Sequence, residues 1–420
     1  MSKSDISLDD FQPRSGALST LLARGHCHQA TSLEGLDAAF SAGPCTIYNG
    51  FDATADSLHV GHLVPIMALR RMQQAGHRPI ILVGGGTTRI GDPSFRPDAR
   101  PMLSEAEIAS NIESLSRVFG RFLHFGDGPT DAILVNNAEW LDEMRWIDML
   151  RDVGRHFSVN RMLGFDSVKS RLEEQKSLSF LEFNYMILQA FDFLELSRRH
   201  GCAVQMGGAD QWGNIVSGVD LVRRMEGREV FGLTSPLLTT SSGAKMGKTA
   251  AGAVWLNEDR LAPFDFWQFW RNTEDADVAR FLALFTDLPL DEIDEITSGG
   301  GSGINAAKIR LANEATALAH GPEAAAKAQA SAAAVFGKGG GTAGLPILTL
   351  DEEQRQGEVR VLDLLVQSGF RPSKKAARRS IEERSVRLDG EIVEDLGACL
   401  AAQDLPCRLS LGRKNHILVE

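Results

Sequence analysis

Two histidines, His59 and His62, lie on either side of Val60 and Gly61, and this spacing suits phosphate binding. A predicted strand near residues 45–48 precedes them, and apolar residues at helical spacing follow, from about residue 61 to residue 74. A helix N-terminus after a strand offers free backbone N–H groups and a positive dipole end to a phosphate. Taken alone, the tetrapeptide also fits an ordinary helix start with two surface histidines.

A glycine-rich loop, residues 84–93, follows the predicted strand at residues 79–83. It is not a dinucleotide-binding fingerprint, because Arg89 occupies the position of the third glycine. The loop allows close backbone approach to a ligand and delivers one carboxylate, Asp92. Arg96 and Arg100 follow and could reach phosphates. A structural turn would explain the glycines equally well.

A second basic segment contains Lys245 and Lys248, followed by Thr249. A P-loop is excluded, because Ser242 stands where the first glycine of that motif is required. Two lysines on a glycine-flanked loop can instead clamp a triphosphate and neutralise the charge of departing pyrophosphate. An exposed basic loop without such a role is the alternative.

The polar residues of one predicted helix suggest a pocket for a small polar ligand. Tyr185, Gln189 and Asp192 follow one another at i, i+4 and i+7, and therefore lie on one face among apolar neighbours. The chain has 21 phenylalanines but only two tyrosines, Tyr48 and Tyr185. We therefore expect each tyrosine to be present for its hydroxyl group.

Short apolar segments alternate with helical segments up to about residue 230. This alternation predicts an α/β fold with a doubly wound, parallel, Rossmann-like sheet. Ligands of such sheets bind at the carboxyl ends of the strands. The loop with His59, the loop with Asp92 and the loop with Asp210 and Gln211 each follow a predicted strand, so we expect all three at one edge.

Changes in composition predict further domains. We expect a Rossmann-like catalytic domain over residues 1–230 and a helical domain over 231–335, with the lysine loop at its start. A glycine-rich linker over 336–354 then precedes a small α+β domain over 355–420.

Composition is that of an ordinary globular protein, with 420 residues, 43% hydrophobic and 24% charged. Five scattered cysteines and the lack of an apolar signal core predict a cytoplasmic protein with reduced thiols. We expect no membrane span and no dedicated metal site. The net charge of −11 means that any nucleic-acid site must concentrate basic residues locally.

Several motifs together resemble one enzyme family. The segment His59-Val60-Gly61-His62 resembles the HIGH signature of class I aminoacyl-tRNA synthetases, and Lys245-Met246-Gly247-Lys248-Thr249 resembles their KMSKS loop. Residues 51–59, 156–160 and 210–214 are similar to bacterial-type tyrosyl-tRNA synthetases, and the similarity extends over essentially the whole chain. The resemblance implies ATP-dependent attachment of L-tyrosine to tRNA through tyrosyl-adenylate, with Mg²⁺ accompanying ATP, in a homodimer with Phe180 near the interface.

The resemblance also implies a role for each matching residue. The tyrosine hydroxyl would contact Tyr48 and Asp192, the ammonium would contact Asp92, Tyr185 and Gln189, and the carboxyl would contact Gln211. The nucleotide and its phosphates would be bound by Asp52, Thr54, His59, Gly61, His62, Arg96, Arg100, Asp210, Lys245, Lys248 and Thr249. This chain departs from the family pattern at Asn49, Thr88, Arg89, Gly247 and Thr249.

Seven basic residues against two glutamates give residues 371–387 a net charge of +5. With the short β-rich segment that follows, this resembles the small RNA-binding domain that ends bacterial tyrosyl-tRNA synthetases, and it predicts tRNA binding by a basic helix. A solvated helix face is the alternative. For the whole chain, the rivals are the related tryptophan enzyme, against which Tyr48 and Asp192 argue, and a catalytically inactive RNA-binding relative.

Overall fold

The computed structural model describes residues 8, 10–92, 102–243, 246–249, 252–299, 302–336, 345–412 and 415–420. The chain divides into two compact units, Met1–Pro322 and Glu323–Glu420. None of the helices in the described residues is long and apolar enough to cross a membrane.

A six-stranded sheet, in the order β1-β6-β5-β2-β3-β4, forms the centre of the first unit. All neighbouring pairs are parallel except β1 with β6 at one edge, which confirms the predicted α/β fold with a parallel sheet. The strands of this unit are β1 (Gln29–Ala30), β2 (Thr46–Phe51), β3 (Arg78–Val83), β4 (Ile133–Asn136), β5 (Val204–Gly208) and β6 (Phe231–Ser235), with the small hairpin β7 (Lys248–Thr249) and β8 (Gly252–Ala253).

Helices precede, connect and follow these strands. The helix that carries most of the polar site residues, α9, has clear local signals at both ends: Ser179 and Glu182 form a capping box at its start, and Gly201 ends it in the left-handed conformation. The helices of this unit are α1 (Gly16–Ala23), α2 (Leu33–Ala42), α3 (Leu63–Gln74), α4 (Glu105–Phe122), α5 (Ala138–Leu141), α6 (Trp146–Asp148), α7 (Val159–Leu163), α8 (Asp166–Glu173), α9 (Phe180–His200), α10 (Trp212–Glu226), α11 (Pro263–Arg271), α12 (Val278–Phe285), α13 (Leu290–Ser298) and α14 (Ser302–His320).

The hydrophobic core below the site joins the sheet to α9 and α10. Tyr48 of β2, Ile80 of β3, Phe193 of α9 and Val222 of α10 belong to one buried cluster. Because α9 packs against this core, one face of the helix is held close to the strand ends, and the polar residues on that face have fixed positions.

Two features of the first unit differ from the sequence-based expectations. The strands expected from the sequence did not include Gln29–Ala30, an antiparallel edge strand that is too short to show any alternation. The expected boundary at residue 230 also cuts the sheet, because Phe231–Ser235 is its strand β6 and pairs with β5. A buried apolar strand resembles a buried helix segment when only a few residues are available.

The second unit contains both helices and strands around its own core. A five-stranded sheet has the order β12-β11-β14-β15-β9, and β10 pairs with β13. Residues 345–354, which were expected to be linker, contribute β9 to this sheet. The elements are α15 (Pro322–Phe336), β9 (Ile347–Leu348), α16 (Glu352–Gln356), β10 (Glu358–Arg360), α17 (Val361–Gln367), α18 (Lys374–Glu382), β11 (Val386–Leu388), β12 (Glu391–Ile392), β13 (Cys399–Ala401), β14 (Cys407–Leu411) and β15 (Asn415–Val419).

Candidate active site

The carboxyl ends of β2 and β3 lie side by side and bring two loops into hydrogen-bonding contact. Phe51 pairs with Val83 at the end of the ladder, so Asp52 and the loop that begins at Gly84 are neighbours. Asp52 Oδ1 accepts a hydrogen bond from Thr87 Oγ1 at 2.8 Å, and its Oδ2 accepts one from the Tyr185 hydroxyl at 3.0 Å. The strand ends and α9 therefore meet at Asp52.

The glycine-rich loop is shaped by close contacts with polar side chains. A Cβ atom on Gly84 would collide with Asp52 Oδ1 and Thr87 Oγ1. The side chain of Asn137, just after β4, accepts a hydrogen bond from the N–H of Gly86 at 2.8 Å. The glycines thus allow the loop to pack against side chains from neighbouring strand ends, and the structural requirement is clear at Gly84.

Asp192 is a buried carboxylate with two side-chain donors. It is 2% exposed, and its Oδ2 and Oδ1 accept hydrogen bonds from Asn137 Nδ2 at 3.0 Å and Trp140 Nε1 at 2.8 Å. Burial raises the pKa of Asp192 to about 7, against the opposing effect of these two hydrogen bonds. The protonation state of this group therefore changes near neutral pH.

The hydroxyl of Tyr48 is buried, and within the described residues it has no hydrogen-bond partner. Burial, and then the negative charge of Asp192, raise the pKa of Tyr48 well above its ordinary value. Burial likewise raises the pKa of Tyr185, with a further contribution from Asp52. Both tyrosines therefore remain protonated; the Tyr185 hydroxyl donates to Asp52, and the Tyr48 hydroxyl is able to donate to a ligand.

A second line of polar side chains connects the other predicted ligand contacts. Gln211 Nε2 donates to Asp92 Oδ2 at 2.9 Å. Asn214 Nδ2 donates to Gln189 Oε1 at 3.0 Å and to Gln211 Oε1 at 3.1 Å. The structure therefore brings Asp92, Gln189 and Gln211 together through Asn214, a residue that was not predicted to belong to the site.

The two histidines form a compact unit at the start of α3. The N–H of Gly61 donates to His59 Nδ1 at 3.1 Å, and the N–H of His59 donates to His62 Nδ1 at 3.2 Å. Since each Nδ1 atom accepts, the proton of each neutral ring lies on Nε2. A Cβ on Gly61 would lie 2.8 Å from His59 Cε1, so the glycine makes room for the histidine ring itself.

The segment after Lys245 packs directly against these histidines. A Cβ on Gly247 would lie 3.2 Å from Val60 Cγ2, and Gly247 has φ = +96°. Lys248 and Thr249 form β7 beside this contact. The two basic motifs of the sequence are thus adjacent in the structure, although they are far apart in the chain.

The remaining predicted residues are located as follows. Thr54 is half-buried just after Asp52, and Asp210 is half-buried after β5, where its carboxylate lies against Gly208. Lys245, Arg96 and Arg100 lie outside the described residues.

Sequence reasoning missed several buried polar residues of the site, namely Thr87, Asn137, Trp140 and Asn214. One usable signal was present: Asn136 and Asn137 stand at the carboxyl end of an apolar strand, where polar side chains point to a ligand edge. Nothing in the sequence indicated that the indole N–H of Trp140 would contact Asp192.

Comparisons with known sequences agree with the geometry. The family described as "tRNA synthetases class I (W and Y)" matches residues 41–337. The family described as "Tyrosine--tRNA ligase SYY-like C-terminal domain" matches residues 340–418. The first match covers both histidines and the lysine segment.

Individual relatives indicate the enzyme for tyrosine, as opposed to the one for tryptophan. Tyrosine–tRNA ligase of Dinoroseobacter shibae is 56% identical over 412 residues, which is 98% of this chain and 99% of that protein. The enzyme of the same name from Novosphingobium aromaticivorans is 58% identical over 402 residues, covering 96% and 97%. Among solved structures, a C-terminally truncated mitochondrial tyrosyl-tRNA synthetase of Aspergillus nidulans is 31% identical with a TM-score of 0.69, covering 78% of this chain and 96% of that chain.

The chain belongs to the class I aminoacyl-tRNA synthetases for tryptophan and tyrosine, and within them to the tyrosine–tRNA ligases. Its function is the charging of tRNA with tyrosine, for protein synthesis, with ATP as a substrate. The resemblance inferred from the sequence is confirmed, while the roles of individual residues stay predictions.

The raised pKa of Asp192 predicts a pH-dependent affinity for tyrosine. If the phenol O–H of tyrosine donates to the ionised Asp192 carboxylate, tyrosine binds with its full affinity above the Asp192 pKa of about 7. This affinity should fall about tenfold per pH unit below that value. Titration calorimetry with tyrosine across this range measures the dependence, and Asp192→Asn, which cannot ionise, should abolish the step. A wild-type affinity that does not change with pH would contradict the assignment.

Proposed function

We propose that Tyr48 and Asp192 recognise the phenolic hydroxyl of tyrosine from two sides. The observation that carries this proposal is the buried Tyr48 hydroxyl without a partner in the described residues, close enough to Asp192 for the carboxylate to raise its pKa. A buried donor without a partner is costly, and a phenol oxygen would satisfy it. Asp192 would then accept the O–H of the same phenol.

We propose further that the polar groups nearer the strand ends hold the α-amino and carboxyl groups of tyrosine. Tyr185, Gln189 and Asp92 would contact the ammonium, and Gln211 would contact the carboxyl. The hydrogen bonds that connect Gln211 to Asp92, and both Gln211 and Gln189 to Asn214, support a fixed position for these groups. Fixed positions matter because the carboxylate must meet the α-phosphorus of ATP.

In the proposed reaction, a carboxylate oxygen of tyrosine attacks the α-phosphorus of ATP. The bond from the α-phosphorus to the bridging oxygen breaks, and pyrophosphate leaves with its electron pair. The product is tyrosyl-adenylate, a mixed anhydride. A ribose hydroxyl at the tRNA 3′ end then attacks its carbonyl carbon and loses its proton, the bond from that carbon to the phosphate oxygen breaks, and the tyrosyl ester of tRNA and AMP are formed. We propose that Mg²⁺ arrives with ATP as part of the substrate.

The N–H groups at His59–His62 and the segment at Lys248 are proposed to stabilise the charge that develops on the phosphates. The contact of Gly247 with Val60 supports this joint role, because it brings both segments to one place. The complete proposed set for the nucleotide and its phosphates is Asp52, Thr54, His59, Gly61, His62, Arg96, Arg100, Asp210, Lys245, Lys248 and Thr249.

The test of phenol recognition is the discrimination between tyrosine and phenylalanine. Tyr48→Phe should reduce kcat/KM for tyrosine activation. The loss in transition-state stabilisation should be about 0.5–1.5 kcal/mol, the value of a neutral hydrogen bond. Activation of phenylalanine should stay unchanged or improve, because the orphaned donor is gone. ATP–pyrophosphate exchange measures both.

Tyr185→Phe is the matched control for this experiment. It removes a hydroxyl that contacts Asp52 and is proposed to contact the ammonium, which both amino acids possess. It should therefore weaken both substrates alike. An equal loss for both amino acids in Tyr48→Phe would show that Tyr48 shapes the pocket without contacting the phenol.

We propose that the basic helix α18 of the second unit binds tRNA. Lys375 and Arg378 are exposed, and in the part of the chain that the structure describes they make no ion pair. Lys374 and Arg379, in contrast, pair with Asp363 and Glu383. Exposed cations without a carboxylate partner are suited to phosphates.

Removal of these two charges should weaken tRNA binding in a salt-dependent way. For the double variant Lys375→Ala, Arg378→Ala, the slope of log affinity against log salt should decrease by roughly 1.5, because two phosphate contacts are lost. Filter binding over a salt series measures the slope, while tyrosine-dependent ATP–pyrophosphate exchange should not change. The control is Arg355→Ala, an exposed arginine of the same unit. An unchanged slope in the double variant would exclude α18 from the interface.

We propose that the chain is a cytoplasmic homodimer. Support comes from large apolar side chains exposed along the edge of the sheet and the segment after it, where Trp146 is 54% and Phe180 is 67% exposed. Their rings contact each other, with centroids 6.2 Å apart. Others of this kind are Leu134, Ile147, Leu150, Val159, Leu163, Leu172 and Leu181. Where exposed apolar side chains adjoin, as Trp146 and Phe180 do, they form a patch typical of a surface that another protein covers.

A charge within this patch should dissociate the dimer. Phe180→Asp should sediment with the 45.7 kDa mass of one chain, and the wild type with twice that mass, because a buried unpaired carboxylate is costly at an interface. Ile392→Asp, which places the same charge at an exposed apolar residue of the second unit, should remain dimeric. If Phe180→Asp remained dimeric, the interface would have to lie on another surface.

A further inference from the structure

A short backbone ladder connects the histidine segment to the chain that follows the lysine segment. The N–H of Val60 donates to the carbonyl of Val254 at 3.0 Å, and the N–H of Leu256 donates to the carbonyl of Leu58 at 2.8 Å. The N–H of Val254 donates in turn to the carbonyl of Gly247 at 3.0 Å. Residues 58–60, 254–256 and 247 therefore share one hydrogen-bonded arrangement.

Asn257 anchors one end of this ladder. Its Oδ1 accepts from Ser57 Oγ at 3.0 Å, and its backbone N–H donates to the same hydroxyl at 3.2 Å. Its Nδ2 donates to Ser114 Oγ at 2.9 Å and to the carbonyl of Asp56 at 3.3 Å. A single side chain thus attaches the chain after the lysine segment to the loop before His59 and to helix α4.

Arg260 adds an ion pair to the same end of the ladder. Its Nε lies 3.0 Å from both carboxylate oxygens of Asp56, and its Nη2 lies 2.7 Å from Oδ2. The guanidinium also stacks over Trp255 at 5.9 Å, and the Trp255 ring lies 6.3 Å from that of His59. The ion pair therefore connects to the histidine both through the backbone and through an aromatic ring.

Stability of the fold is a poor explanation for this ion pair. The side chains of Arg260 and Asp56 are 51% and 42% exposed, and ion pairs that are exposed to solvent add little to the stability of a fold. The pair is instead located where a small displacement would change the distance between two phosphate-binding segments. Correct placement of charged groups has large effects on rate.

We infer that Arg260, through its ion pair with Asp56, is a positioning residue that holds the chain on the C-terminal side of the lysine segment in register with His59. It acts on adenylate formation without touching tyrosine or ATP. This inference rests on the proposed roles of His59 and Lys248.

The test compares the rate of adenylate formation with the affinity for tyrosine. In Arg260→Ala, stopped-flow fluorescence should show the rate of tyrosyl-adenylate formation falling about tenfold, with tyrosine affinity and melting temperature nearly unchanged. Arg260→Lys should restore part of the rate. Asp56→Ala should have no further effect in the Arg260→Ala background, because both remove one interaction.

Two controls make the result decisive. Arg310→Ala removes comparably exposed ion pairs, with Glu292 and Glu314, and should leave the rate unchanged. Lys248→Ala tests the proposed function itself: if it does not slow adenylate formation, the role of the lysine segment is refuted. If Lys248→Ala slows the step and Arg260→Ala does not, only the present inference is overturned. A lower melting temperature and weaker tyrosine binding in Arg260→Ala would likewise overturn it, in favour of a structural role.

Discussion

A carboxylate removed from water is the constraint on which the site depends. Asp192 is 2% exposed, and such a group is tolerated only where hydrogen-bond donors replace its hydration. Asn137 and Trp140 provide those donors. The amide of Asn137 also donates to Thr87 Oγ1 at 2.9 Å and accepts from the N–H of Gly86 at 2.8 Å. The side chain that donates to Asp192 therefore also fixes the glycine-rich loop.

The same network reaches Tyr185. Thr87 accepts from Asn137 and donates its own proton to Asp52, which also accepts from the Tyr185 hydroxyl. In this hydrogen-bond network each of these donors is matched with an acceptor, and a buried polar network is rigid when its groups are satisfied in this way. The two ends of the proposed tyrosine pocket are thus held at a set distance by side chains rather than by the backbone alone.

The sequence predicted the elements whose signal is local or periodic. The parallel strands, the helix with Tyr185, Gln189 and Asp192 on one face, and the meeting of three loops at one sheet edge all follow from short patterns and a general rule about strand ends. The small edge strand Gln29–Ala30 and the partners of Asp192 did not. They depend on which segments become neighbours after folding, and no local pattern encodes that.

Two departures from the family pattern have physical reasons in this structure. Gly247 has φ = +96°, and a side chain there would press on Val60, so a glycine suits the close contact between the lysine segment and the histidines. Thr88 Oγ1 accepts a hydrogen bond from the N–H of Ala53 at 2.8 Å, which ties the glycine-rich loop to the residue between Asp52 and Thr54. Both departures act where one loop contacts another. Sequence differences at such positions therefore act on how the loops contact each other.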